Sequence, residues 1–233
     1  MSRRRINIAI DGHSSSGKST VARALAKALN FVYIDTGAMY RAATLFAMRE
    51  RLIQRDQLDA SGLEKALDRM YIQFKFNPAS GQSEVHLNGT NVEREIRSME
   101  VARWVSHVAA VPAVRHKLVA LQQRMADMGG VVMDGRDIGT VVLPQAELKF
   151  FITADAEVRA RRRHKELAEK GKDVPWETVL ENVLERDRID STREVGPLRL
   201  AEDAVVVDNS LLTLDEQFDF IATRALKALE EKS

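Results

Sequence analysis

Gly12-His13-Ser14-Ser15-Ser16-Gly17-Lys18-Ser19 has the residue types and spacing of a loop that holds phosphate. Glycines let the backbone turn tightly enough for consecutive N–H groups to converge on an anion, and a helix starting behind the loop adds partial positive charge. Lys18 would reach the β- and γ-phosphates, and the Ser19 hydroxyl is placed to ligate Mg²⁺ through the nucleotide. The expected triphosphate contacts are Gly12, His13, Ser14, Ser15, Ser16, Gly17, Lys18, Ser19 and the adjoining Thr20. A small polar turn with a surface lysine is the alternative, and the flanking sequence weighs against it. Such a loop needs a strand before it and a helix after it.

Both are present. Ile6-Asn7-Ile8-Ala9-Ile10 reads as a strand, and Val21, Ala22, Leu25, Ala28 and Leu29 recur at helical spacing from Ser19 to Leu29. Phe31 to Ile34 is a second strand, ending at Asp35-Thr36-Gly37, and a helical pattern runs from Ala38 to Leu52. A helix is expected over about Leu63 to Met70. Alternation at Ile72, Phe74 and Phe76, a turn at Pro78–Gly81, renewed alternation at Val85 and Leu87, and Asn88-Gly89 predict a small antiparallel insert over about 72–92. Helical sequence then runs from Glu93 to Ala110 and restarts at Pro112, ending at Gly129-Gly130.

Further strands are expected at Val131–Met133, leading into Asp134-Gly135-Arg136-Asp137, at Leu148–Ile152 and at Ala204–Val207. Asp155 is expected to cap a helix stopping near Gly171, and Pro175 to start the next. Thr213 and Glu216 form a capping box for the terminal helix. Alternating strands and helices predict an α/β fold with a parallel sheet whose ligands gather at the carboxyl ends of its strands.

Charge narrows the chemistry. Across 233 residues, 35 Lys and Arg stand against 34 Asp and Glu, so no global field points to nucleic acid or membrane. The absence of cysteine excludes disulfides and thiol chemistry and suits a reducing cytoplasm. The basic start at Met1–Arg5 precedes an apolar run too short for a signal peptide or a membrane span. Arg41, Arg115, Arg136, Arg186, Arg188 and Arg193, several beside an acid, supply planar forks for a second anionic group. No Asn-Lys-x-Asp motif and no Asp-x-x-Gly switch follow the loop, so a GTPase is disfavoured.

Asp35-Thr36-Gly37-Ala38-Met39-Tyr40-Arg41, Asp134-Gly135-Arg136-Asp137-Ile138-Gly139-Thr140 and Glu185-Arg186-Asp187-Arg188-Ile189-Asp190-Ser191-Thr192-Arg193, in that order behind the loop, resemble bacterial cytidylate kinases. The antiparallel insert is a further match, and the likeness covers nearly the whole chain. His13 departs from the family's usual proline, and Thr36 stands where serine is common.

The resemblance implies a P-loop kinase with a parallel five-stranded sheet flanked by helices, an arm for the monophosphate carrying the antiparallel insert, and a helical lid. The expected organisation is core over 1–38, monophosphate-binding domain over 39–110, core over 111–155, lid over 156–193 and core over 194–233. It implies transfer of the γ-phosphoryl group of Mg-ATP to CMP, and to dCMP, by a cytoplasmic monomer that binds neither nucleic acid nor membrane.

Carried over by position, Thr36, Arg41, Arg136 and Arg193 lie at the CMP phosphate, Ser106, Arg115 and Asp137 face cytosine, and Arg186 with Asp190 the ribose. Lys18, Arg41, Arg136 and Arg193 are the catalytic set, and Arg159 and Arg163 are lid contacts to ATP. A carboxylate for cytosine's amino donor and an arginine for its acceptors make a complementary pair.

Each assignment has a plainer rival. Arg136 with Asp137, and Arg186 with Asp190, would also serve as exposed ion pairs, Ser106 as a polar surface residue, and the arginine-rich helix as a solvated face. Asp35 is open between a general base, a metal's outer partner and a loop cap. A kinase for a small alcohol using Asp35, or a non-catalytic nucleotide sensor or nucleic-acid-binding module using the arginine-rich helix, are the competing functions.

Overall fold

The apolar run after Arg5 is strand β1 (Asn7–Gly12), and the phosphate-type loop leads into α1 (Lys18–Leu29), β2 (Val32–Asp35) and α2 (Thr36–Arg49). Next come β3 (Ile53–Gln54), β4 (Gln57–Leu58), α3 (Ala60–Ala66), β5 (Ile72–Asn77), β6 (Gln82–Leu87), β7 (Thr90–Asn91), α4 (Met99–Ala110) and α5 (Pro112–Ala126). The chain finishes with β8 (Val131–Gly135), β9 (Leu148–Thr153), α6 (Ala156–Glu169), α7 (Trp176–Thr192), β10 (Val205–Asp208) and α8 (Leu214–Glu231). This computed structural model describes residues 5–79 and 81–231; the basic start at Met1–Arg4 and Ser80 of the Pro78–Gly81 turn lie outside them. The backbone divides into two compact units, 5–34 with 122–231, and Asp35–Leu121.

The first unit holds the five-stranded sheet in the order β10-β9-β1-β8-β2. Its pairings β1 with β8, β1 with β9 and β9 with β10 are parallel. Ile8 and Ile10 of β1, Val132 of β8, Phe150 and Ile152 of β9 and Val207 of β10 join Val21, Leu25, Ile221 and Ala225 from α1 and α8 in one buried cluster. Because β1 lies centrally, its carboxyl end is flanked on both sides, and only a residue without Cβ can leave it there. A Cβ on Gly12, whose φ is +148°, would collide with the Ile152 carbonyl of β9.

Asp11 stands just before that exit. Its carboxylate accepts from the backbone N–H groups of Ile138 (2.8 Å) and Gly139 (2.7 Å), anchoring the turn after β8. Burial, with the nearby Asp137 charge, pushes Asp11 up to about 7 against the pull of those two N–H bonds and of Lys18. At pH 8 the carboxylate accepts both bonds; Asn at this position sets an amide N–H against one of the two donors. Asp11→Asn is therefore expected to cost about 1–3 kcal/mol of unfolding free energy at pH 8, read by denaturant titration.

In the second unit, β5, β6 and β7 form the expected antiparallel insert, with Asn88 and Gly89 both at positive φ (49° and 84°) in the tight turn. Several boundaries differ from the sequence reading. α2 begins at Thr36 because the Asp35 side chain accepts from the Ala38 N–H and caps it. The expected helix from Glu93 to Ala110 is a short 3-10 turn at Glu95–Arg97 followed by α4, which Ser98 caps through the Val101 N–H. The helix expected at Leu63–Met70 is α3 plus a 3-10 turn at Leu67–Arg69. Asp155 does precede α6, but its side chain makes no capping bond; its N–H donates to the Ser210 hydroxyl. No described helix is long and apolar enough to cross a membrane.

Candidate active site

The phosphate-type loop lies between the carboxyl end of β1 and the start of α1, where a parallel sheet gathers its ligands. Ser14, Ser16 and Lys18 are buried, His13, Ser15, Gly17 and Ser19 half-buried, and Thr20 exposed. Without nucleotide, Lys18 Nζ donates to the His13 carbonyl at 2.7 Å, and Ser16 Oγ donates to the same oxygen at 2.9 Å.

Lys18 is electrostatically poised. Burial, then the guanidinium of Arg136 and, more weakly, that of Arg186, push its ammonium down to about 7, with Asp134 and Asp190 pulling the other way. Three cations therefore lie within mutual influence at one end of the sheet. Asp134 and Asp190 offset part of the cations' mutual repulsion, and a bound phosphate would offset more, which makes this end of the sheet a candidate phosphate site.

The Ser19 hydroxyl donates to Asp134 Oδ2 at 2.6 Å, and the Tyr33 hydroxyl donates to Asp134 Oδ1 at 2.8 Å. Asp134, buried at the end of β8, is a candidate functional residue that the sequence analysis quoted without a role. Its signal was an acid closing an apolar strand. A hydroxyl and a carboxylate meeting at the mouth of a phosphate loop are the protein oxygens that P-loop enzymes offer to Mg²⁺. No group of three or more His, Asp or Glu able to hold a metal occurs among the described residues, so an ion here would take most of its oxygens from nucleotide and water.

Arg136, Asp137, Asp190 and Arg193 assemble in the same unit. Arg136 Nε donates to Asp190 Oδ2 at 2.8 Å, Arg193 Nη1 lies 3.5 Å from Asp190 Oδ1, and Arg193 Nη2 lies 3.6 Å from Asp137 Oδ1. These are not exposed pairs: the Arg193, Asp137 and Asp190 side chains retain 3%, 4% and 5% of their surface. Burial would raise Asp190, but Arg136, Arg193 and Arg186 outweigh it and hold the carboxyl below the usual carboxylate range. Arg186, half-buried on α7, thus belongs electrostatically to the group around Lys18 and Asp190.

Arg159 is buried on α6. It donates to Asp187 Oδ1 (3.1 Å) and Oδ2 (2.6 Å), to the Ala154 carbonyl (2.9 Å) and to the Ser14 carbonyl of the loop (3.3 Å). His13 Nδ1 lies 3.3 Å from the same Asp187. Burial opposes but does not cancel the pull of His13 and Arg159, so Asp187 sits below its ordinary value. Arg163 is half-buried and pairs with Glu166 at 2.9 Å.

In the second unit, Asp35 accepts from Arg41 Nη2 at 2.9 Å besides capping α2. Burial would raise it, yet Arg41 and Arg97 lower it, which makes a poor general base and favours the cap. Thr36 and Ser106 are buried rather than surface polar residues. Arg115 is fully buried, with its guanidinium carbon 5.3 Å from the Tyr40 ring centroid and Nη1 donating to the Ala109 carbonyl at 3.3 Å.

Comparison with known proteins shows what the chain is similar to. The cytidylate kinase family matches residues 8–227. A cytidylate kinase of Flavobacterium johnsoniae is 55% identical over 215 residues, 92% of this chain and 94% of its own. That of Parabacteroides distasonis is 53% identical over 226 residues, 97% and 99% of the two chains, and that of Bacteroides fragilis 49% identical over 227 residues with the same coverage.

Proposed function

The chain belongs to the cytidylate kinase family, and on that premise we propose how its residues carry the γ-phosphoryl group of ATP to CMP. The observation that supports the scheme best is the buried cluster of Arg136, Asp190, Arg193 and Asp137 in the same unit as the phosphate-type loop, with Arg136 and Arg186 also acting electrostatically on Lys18. Two phosphorylated substrates repel each other, and cations shared between them relieve that repulsion.

The loop amides of residues 13–19 hold the β-phosphate, and Lys18 leaves the His13 carbonyl to follow the charge as it builds on the transferring group. Ser19 and Asp134 would hold a Mg²⁺ ion brought with the triphosphate, and that ion would supply charge neutralisation there. Tyr33 fixes the Asp134 carboxylate by its hydrogen bond. Arg136, whose Nε and Nη1 are engaged by Asp190 and the Gly135 carbonyl, keeps Nη2 for the acceptor phosphate. Arg193, Arg41 and Thr36 complete the contacts to that phosphate. Its second ionisation lies near pH 6, so the attacking oxygen needs no protein base.

Asp137 accepts from the cytosine amino group, Arg115 and Ser106 serve the acceptors, and Arg186 with Asp190 hold the sugar. Arg159 and Arg163 belong to a lid over 156–193 that excludes water, so transfer goes to CMP rather than to hydrolysis. The enzyme works as a cytoplasmic monomer; its even charge and lack of cysteine support that setting.

An acceptor screen with Mg-ATP, read as ADP release, tests the substrate assignment. CMP and dCMP are expected to turn over. UMP, which sets a carbonyl against Asp137, is expected to lose about 10- to 100-fold in kcat/KM, and AMP and GMP to give no signal above ATP alone. Equal turnover of UMP and CMP would remove Asp137 from base recognition. Turnover of a neutral alcohol instead would displace CMP as acceptor.

A further inference from the structure

A loop that turns its N–H groups toward an anion turns its carbonyls away from it, and buried carbonyls need donors. Here the His13 carbonyl takes the Ser16 hydroxyl and the Lys18 ammonium, and the Ser14 carbonyl takes Arg159. The Ser16 carbonyl takes Asn209 Nδ2, at 2.7 Å and 193 positions away in sequence. Asn209 follows β10 and retains 1% of its surface.

Every polar atom of Asn209 is committed. Its N–H donates to the Thr153 carbonyl at the end of β9 (2.9 Å), and Nδ2 donates also to Gln217 Oε1 on α8 (2.9 Å). Arg162 of α6 donates Nη1 to Asn209 Oδ1 (2.9 Å) and Nη2 to its carbonyl (2.7 Å). One residue thus ties the phosphate loop to β9, through its backbone N–H, and to the arginine-rich helix and the terminal helix. A Cβ added to Gly17 would also meet Asn209 Nδ2, at 3.5 Å, so the amide lies directly behind the turn.

We propose that Asn209 is a positioning residue of the triphosphate site: its amide holds the Ser16 carbonyl outward and so keeps the neighbouring loop N–H groups turned toward phosphate. The inference rests on reading this loop as the ATP site. It adds a residue that touches no substrate, and it predicts a defect confined to the nucleotide donor.

Asn209→Asp isolates the contact. The shape is kept and Arg162 gains a full ion pair. Gln217 can present Nε2, which has no hydrogen-bond partner among the described residues, to the new carboxylate. Only the Ser16 carbonyl is left facing an acceptor and must turn. Asn209→Ala removes the donor without adding charge. Calorimetric titration of each variant with ATP and, separately, with CMP is expected to weaken ATP binding by about tenfold in both variants while CMP binding stays within about twofold of wild type. CMP binding also reports that the variants are folded. Unchanged ATP affinity in Asn209→Asp, or loss of ATP and CMP binding together in both variants, overturns the proposal. A wild-type chain that binds ATP but makes no CDP would refute the acceptor assignment and leave the Asn209 comparison standing.

Discussion

Arg136→Ala is expected to lower kcat/KM for CMP by about three orders of magnitude while the dissociation constant for ATP moves by less than about threefold, a separation that steady-state kinetics and calorimetry read on the same sample. The magnitude follows from what the guanidinium does. In the proposed scheme it faces both substrates, and its charge is felt at Lys18, so its loss would remove stabilisation where charge passes from donor to acceptor. The ATP term is expected to be small because in that scheme the loop's amides and Lys18 hold the triphosphate without it. The fold should survive, since Asp190 keeps Arg193 at 3.5 Å and the influence of Arg186 after Arg136 is gone. Turnover at the wild-type rate would take Arg136 out of the mechanism.

Lys18→Met is expected to reduce kcat by about 10²- to 10³-fold, the scale for losing one preorganised cationic donor to a transition state. It also carries a signature that a structural lysine would lack. In the unliganded chain Lys18 titrates at about 7, against 10.5 when unfolded. Between those values the unfolded chain binds more protons, so the ammonium costs stability below about pH 7 and the unliganded protein gains stability as pH rises toward 10.5. A bound triphosphate favours the ammonium and reverses the shift. At pH 8 ATP binding should therefore take up close to one proton, about 0.9, seen as a dependence of the calorimetric enthalpy on the buffer's ionisation enthalpy. Lys18→Met should abolish the uptake; uptake that persists in the variant assigns the proton elsewhere.

The sequence made these residues legible where their signals were local. The strand, loop and helix from β1 to α1 could be read because periodicity 2 gives way to periodicity 3.6 across a glycine-rich turn. The paired arginines and acids of α7 lie a few residues apart, so their clustering needed no tertiary knowledge. Boundaries failed where a side chain, not periodicity, sets the end of an element. Asp35 starts α2 two residues before the apolar pattern does, and Val92 and Ile96, four apart, imitate a helix that Ser98 starts only later. The β3–β4 hairpin was missed because Arg55 and Asp56 both take positive φ (49° and 57°), a turn usually announced by Asn-Gly.

Roles that depend on long closures were out of reach. Asp134 gains its meaning from Ser19, 115 positions away, and Asp11 from Ile138, 127 away. Arg159 was expected over the ATP phosphates. It is already bonded to Asp187 and to the Ser14 carbonyl, which ties the arginine-rich helix to the loop before nucleotide arrives. Burial separates readings that sequence left open: a Ser106 at 3% exposure cannot be a solvated polar residue, and Asp137 at 3% and Asp190 at 4% cannot be halves of exposed surface pairs.

The most direct test uses a compound in which cytidine and adenosine are joined 5′ to 5′ through five phosphates. If loop amides hold one phosphate group and clustered guanidinium groups hold the other in line with it, this compound should bind at least about a hundredfold more tightly than ATP, displaced by ATP and by CMP alike. Binding no tighter than ATP, with displacement by ATP but not by CMP, would contradict the account.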